Sequence, residues 1–209
     1  MKKNVLIAFL LGLVMVFGTF TSVFAVCEPV DPSSFTGVYT IAKKGIENEA
    51  GVDALVNEFY GDVAGGKYKL VSSEKLQGWM AANKNMVVVD TMDAPWYNDH
   101  HIKDAINVEC GDNGANGKFT AEQKKALLSA VKKACTEKKK GKKVVNKKKT
   151  VVVYCGFVGC KRSHEGAKYL ASKGFKNVYR YAGGISAWRE KALVEPDKYV
   201  IEKTVLLQE

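Results

Sequence analysis

Val151-Val152-Val153-Tyr154 runs straight into Cys155 and a loop that holds Gly156 and Gly159. A short run that is apolar at every position fits a strand covered on both faces, as in parallel sheets with helices on either side. Arg162 to Ser172 follows with a helical pattern. This strand, loop and helix order predicts Cys155 at the carboxyl end of a central strand, the edge where open α/β sheets bind ligands.

The rest of the chain alternates in the same way. Val52, Leu55, Val56 and Phe59 mark an amphipathic helix over Glu47 to Tyr60, which the glycine-bearing stretch Gly61 to Gly66 is expected to end. Tyr68 to Val71 reads as a short strand, and Ser72 or Ser73 caps a helix through Leu76, Trp79 and Met80. Met86 to Asp90 is a strand, Pro95 and Trp96 lie in a loop, and His101 to Val108 suits a further strand. Gly111 to Gly117 is a turn-rich connector, and Thr120 to Lys139 reads as one helix with Ala126, Leu127, Ala130, Val131 and Ala134 on one side. Strands alternating with helices imply a parallel α/β sheet. The organisation expected is a leader over 1–25, an extension with one helix over 26–65, the α/β domain over 66–194 and a packed tail over 195–209.

Met1-Lys2-Lys3, the apolar run Val5 to Phe17, and Val23 and Ala25 before a cut read as a secretory signal peptide cleaved after Ala25. Export to the periplasm or beyond follows; the alternative is an uncleaved N-terminal anchor. An oxidising compartment favours disulfides among Cys27, Cys110, Cys135, Cys155 and Cys160. Five is odd, so Cys155 is the natural thiol to remain unpaired if it is reactive, while Cys160 in the same loop can also bond to it. The pairing of Cys27, Cys110 and Cys135 stays open. No Cys-x-x-Cys pair is present and His100 and His101 lie in a separate block, so no metal site is expected.

The chain of 209 residues has a formal charge of +10, much of it from a lysine-rich insertion at about 112–149. Lys138 to Lys149 is a solvated surface or a contact for an anionic membrane surface or an acidic protein. Nucleic acid is not expected, because the run lacks the aromatic residues of a single-strand groove.

The loop after Cys155 carries the chemistry. Backbone N–H groups from Gly156 through Phe157, Val158 and Gly159 to Lys161 can converge on a negative charge, helped by the positive end of the following helix and by Lys161 and Arg162. Such a setting lowers a thiol's pKa and holds an anionic sulfur adduct.

In chain order, Tyr154-Cys155, the loop, Arg162-Ser163, Gly174-Phe175, Asn177-Val178-Tyr179 and Gly183-Gly184-Ile185-Ser186-Ala187-Trp188 resemble the active-site half of a rhodanese domain. Val87-Val88-Val89-Asp90 with the block His101 to Val108 resembles the first part of that family, so the likeness spans about Tyr68 to Lys191. It implies an α/β fold with a parallel central sheet flanked by helices, in a single module. It also implies a sulfurtransferase that takes sulfane sulfur from a small anionic compound such as thiosulfate or polysulfide and passes it to a thiol or another nucleophile. Cys155 would be catalytic, with Gly156, Phe157, Val158, Gly159, Lys161 and Arg162 around the substrate, Asp90 and Ser163 in support, and no cofactor.

One departure stands out. Common single-domain members carry an arginine where this chain has Cys160, and Arg162 comes later, so the loop is longer. A widened cradle is associated in related phosphatases and arsenate reductases with a tetrahedral oxyanion, which leaves a thiol-dependent reductase or hydrolase as an alternative. A non-catalytic sulfur-carrier or binding module is another. Cys160 itself suggests a resolving thiol that converts a Cys155 persulfide into a disulfide.

Overall fold

The computed structural model describes residues 49–82, 84–111 and 117–204, with side chains from residue 55 onward. In chain order its elements are α1 (Glu49–Gly66), β1 (Lys69–Leu70), α2 (Ser73–Ala81), β2 (Met86–Asp90), α3 (Ala94–Asp99), β3 (His101–Ile102), β4 (Ile106–Asn107) and α4 (Ala121–Ala134). Then follow β5 (Thr136–Lys139), β6 (Lys142–Val145), β7 (Thr150–Tyr154), α5 (Lys161–Ser172), β8 (Asn177–Tyr181), α6 (Gly184–Val194) and β9 (Ile201–Glu202).

A parallel sheet in the order β1-β8-β7-β2-β4 forms the centre, with β7 between β8 and β2. Every residue of β7 is buried, as its unbroken apolar run requires. Alternate side chains of β2 and β7 enter opposite layers. Val88, Val152 and Tyr154 pack with Leu76, Ile185 and Trp188 from α2 and α6, whereas Val87, Val89, Val151 and Val153 pack with Leu127, Val131 and Leu170 from α4 and α5. The expected α/β architecture, a parallel central sheet flanked by helices, is present.

Local signals explain several boundaries. The Ser72 side chain accepts the Lys75 N–H at the start of α2. At α4, Thr120 and Gln123 form a reciprocal capping box.

Four sequence expectations need correction. First, α1 does not break at Gly61 but runs to Gly66 and stops where Lys67 takes a φ of 54°. Glycine costs a helix about 1 kcal/mol per residue, and here Asp62 is tied by ion pairs to Lys161 and Arg180. Tertiary contacts on the last turns outweigh the local preference. Second, the Pro95 and Trp96 stretch is not a loop but α3, in which proline occupies the first turn where a missing N–H is tolerated.

Third, His101 to Val108 is not one strand. Asp104, at a φ of 60°, turns the chain between β3 and β4, and the Ala105 N–H bonds to the Ile102 carbonyl. β3 pairs instead with β9, which fastens the tail through Ile102 and Ile201. Tyr199 of the same tail is buried against Trp188. Fourth, the helix from Thr120 stops at Ala134, and the lysines that follow form the β5–β6 hairpin. Lys140 and Gly141 both have positive φ, 51° and 78°, as a two-residue hairpin turn of matching twist demands. Lys138 faces Lys143 and Lys139 faces Lys142. Such like-charge pairing is unfavourable and is tolerated where every residue of the hairpin strands is exposed.

Cys110 and Cys135 are separate free thiols, both buried. Burial pushes the Cys110 thiol up to about 12 and raises that of Cys135, so both act as small apolar side chains. The leader, Cys27 and the end of the tail beyond residue 204 lie outside the described residues. Among the described residues no helix is long and apolar enough to cross a membrane.

Candidate active site

β7 delivers Cys155 to the carboxyl edge of the sheet, where the residue is 1% exposed. The next turn is closed by the Cys160 N–H donating to the Phe157 carbonyl at 3.0 Å, after which α5 begins. The loop is bonded to its surroundings mainly through its carbonyl oxygens. Cys155 O accepts the Ile185 N–H at 2.9 Å and Gly156 O accepts the Ser186 N–H at 3.0 Å, both from the first turn of α6. Gly184 makes this approach possible: its φ is 62°, and a Cβ there would meet Cys155 O at 2.4 Å.

Arg180 of β8 holds the far side of the loop. Its side chain is fully buried and its Nη2 donates to Val158 O at 2.8 Å and to Cys160 O at 3.1 Å. Its Nε donates to Ser163 Oγ at 3.1 Å, and that oxygen lies 3.4 Å from Cys155 Sγ. With the carbonyls engaged from outside, the N–H groups of Gly156, Phe157, Val158 and Gly159 have no acceptor among the described residues. Phe157 and Val158 are half-buried at the tip. Backbone amides without an acceptor among the described residues, in the segment between Cys155 and the positive end of α5, suit an anionic sulfur.

The sulfurs of Cys155 and Cys160 are joined in a disulfide. The expectation that Cys155 is left as the unpaired thiol of the set is thus corrected, and the pairing within the loop is the one observed. Cys160 occupies the position just before α5 and offers no side-chain cap to it.

Both loop cations are committed to carboxylates. Lys161 Nζ lies 2.6 Å from Asp62 and 2.9 Å from Glu58. Burial works against its charged amine, but these carboxylates outweigh that and raise its pKa. Arg162 is buried and grips Asp93 through both terminal nitrogens, at 3.2 and 3.3 Å. Neither cation points to a donor without a competing partner, which composition had no means of revealing.

Asp90 is fully buried at the end of β2. Its Oδ1 accepts the Met92 N–H at 2.8 Å, while Oδ2 has no hydrogen-bond partner among the described residues. Burial pushes its carboxyl up to about 7, partly offset by the Met92 amide, the nearby Tyr154 hydroxyl and the Arg162 charge. It shapes the turn after β2. Ser163 does contact Cys155, as described above. His164 is buried, shares a 2.8 Å hydrogen bond with the Tyr68 hydroxyl, and has its pKa lowered by burial. His101 is held structurally, with Nδ1 2.8 Å from the Tyr97 carbonyl oxygen. Among the described residues no three His, Cys, Asp or Glu side chains gather into a metal-holding group.

Sequence reasoning missed Arg180, Asp62 and Glu58. A charge between Tyr179 and Tyr181 in a strand that packs on both faces was the available signal for Arg180. Nothing in the spacing pointed to the two carboxylates of α1.

A family model described as a rhodanese-like domain matches residues 72–191. No curated protein matches the chain. Similar solved structures include the BH2092 protein from Bacillus halodurans, 22% identical, with 71% of this chain and 86% of that chain covered and a TM-score of 0.44. A thiosulfate sulfurtransferase from Pseudomonas aeruginosa is 17% identical, with 70% of this chain and 23% of that chain covered and a TM-score of 0.48. A human single-domain sulfurtransferase is 18% identical, with 58% and 96% covered and a TM-score of 0.41.

Proposed function

The chain belongs to the rhodanese-like domain family, and from that membership we propose that it is a sulfurtransferase working through a persulfide on Cys155. The supporting observation is the loop itself, whose carbonyls are tied back by Arg180 and α6 while the amides of Gly156 to Gly159 have no acceptor among the described residues. After reduction of the disulfide, the Cys155 thiolate attacks the outer sulfur of thiosulfate. A sulfur–sulfur bond forms to Cys155, the old one breaks, and sulfite leaves with its electron pair. A polysulfide donor reacts in the same way and loses a shorter polysulfide. The open amides stabilise the persulfide anion. An acceptor thiolate then attacks the outer sulfur, takes it as its own persulfide, and returns Cys155 as thiolate.

A second route is favoured by the bond between Cys155 and Cys160. Cys160 thiolate attacks the inner sulfur of the Cys155 persulfide, forming the observed disulfide and expelling hydrogen sulfide. Two equivalents of an external thiol then reduce the disulfide and are themselves oxidised to one disulfide. In the same reading the protein is exported, and the exposed lysine hairpin meets an anionic membrane surface.

Intact mass of the reduced protein before and after thiosulfate or polysulfide tests the reading. A gain of one sulfur atom in Cys160→Ser that needs Cys155 is the expected result, while wild type either shows the same gain or returns to the disulfide mass with release of hydrogen sulfide. A Cys160→Ser protein with reduced Cys155 that gains nothing from either donor would overturn it and favour the oxyanion or binding-module alternatives.

A further inference from the structure

We infer that Asp62, on a helix outside the span matched by the family, is a positioning residue that sets the redox equilibrium of the Cys155–Cys160 pair by holding Arg180 against the loop. α1 reaches the loop directly. A Cβ added at Gly159 would meet Leu55 Cδ1 at 2.7 Å, so helix and loop backbone are in close contact there. One turn on, the Phe59 ring lies 5.7 Å from the Arg180 guanidinium carbon. Asp62 follows, with Oδ2 3.2 Å from Arg180 Nη1 and Oδ1 2.6 Å from Lys161 Nζ.

Asp62 is therefore the counter-charge of the arginine that fixes the loop. Arg180 uses Nη1 for Asp62 and for the Tyr68 hydroxyl, leaving Nη2 for the carbonyls of Val158 and Cys160 and Nε for Ser163. A buried guanidinium that loses its carboxylate is left as an uncompensated charge, and it reorients or draws in water. Reorientation releases the Cys160 carbonyl from Nη2. How readily Cys160 closes onto Cys155 depends on how closely the loop keeps the two together, the effective concentration of one thiol at the other. Loosening the loop lowers that concentration and shifts the pair toward the dithiol.

The consequence for turnover rests on the sulfurtransferase reading, because the resolving route regenerates this disulfide. The equilibrium itself involves no sulfur donor. It is the exchange of the protein disulfide with two reduced glutathione molecules, which yields the protein dithiol and one oxidised glutathione. The full chain is equilibrated in glutathione mixtures, trapped by alkylation and weighed. Failure to form a persulfide and failure of this inference are thus distinguishable.

In Asp62→Asn the dithiol is expected to be favoured about tenfold over wild type, a potential about 30 mV less reducing. Charge removal alone would also favour thiolates, so Asp62→Glu, which keeps the charge and displaces it by one methylene, is decisive. A shift of at least threefold in the same direction is expected there. Glu58→Gln removes a carboxylate from Lys161 without touching Arg180, and its equilibrium is expected within twofold of wild type. Circular dichroism checks that each variant is folded, and if Asp62→Asn is not, Asp62→Glu carries the test alone. A wild-type equilibrium in Asp62→Glu, or an equal shift in Glu58→Gln, would overturn the inference.

Discussion

Replacing Asp90 by Asn should make the protein more stable at neutral and alkaline pH, by an amount that grows with pH. Asn keeps an oxygen for the Met92 N–H and has no charge to bury, whereas the native carboxyl is fully buried with Oδ2 unpartnered among the described residues. Burial lifts that carboxyl from 3.8 to about 7. The native state thus holds the Asp90 proton more tightly than the unfolded chain does. Its contribution to stability is complete below the unfolded value and is lost as pH rises through the folded one. With one pKa unit equal to about 1.4 kcal/mol, the loss is about 4 kcal/mol by pH 8, of which about 2–3 kcal/mol falls between pH 5 and pH 8. Urea unfolding of oxidised wild type and Asp90→Asn at both pH values measures it. Other groups titrate alike in the two proteins and cancel in the difference. The stability gap should widen by about 2–3 kcal/mol in favour of Asn from pH 5 to pH 8. A gap that does not change with pH would refute the reasoning and mean that Asp90 is charged in the folded protein across this range.

Two other substitutions probe the frame around the loop and the insertion. Gly184→Ala places a side chain at a φ of 62°, with its Cβ 2.4 Å from Cys155 O; it should cost about 2 kcal/mol or more in thermal unfolding and slow persulfide loading, and an unchanged melting temperature would show that α6 can withdraw from the loop freely. Reversing Lys138, Lys139 and Lys140 to Glu should weaken binding to phosphatidylglycerol vesicles by at least a hundredfold in a sedimentation assay, at about 1 kcal/mol per lysine removed, and binding within threefold of wild type would assign the hairpin to solvent.

The sheet was legible in the sequence because its evidence is local. Val151 to Tyr154 and Met86 to Asp90 are apolar at nearly every position, which burial on both faces requires, and the cysteine that ends one run marks the reactive edge. Capping at Ser72 and the start of α5 are equally short-range. Boundaries that depend on distant partners were not legible: α1 runs through its glycines because Asp62 meets Arg180, and the strand expected after His101 divides because β9 returns to pair with half of it. The lysine run reads as a continuation of a helix by composition, yet positive φ at Lys140 and Gly141 folds it into a hairpin.

By itself the sequence determined that a cysteine stands at the carboxyl edge of a parallel sheet, followed by a glycine-bearing loop, since apolar periodicity and glycine placement act within a few residues. Only the tertiary structure decided which charges govern that loop. Asp62 and Arg180 are separated by most of the chain, and ion pairs obey distance in space, so their meeting at 3.2 Å follows from the packing of α1 beside β8 and α5 and from nothing in the local pattern.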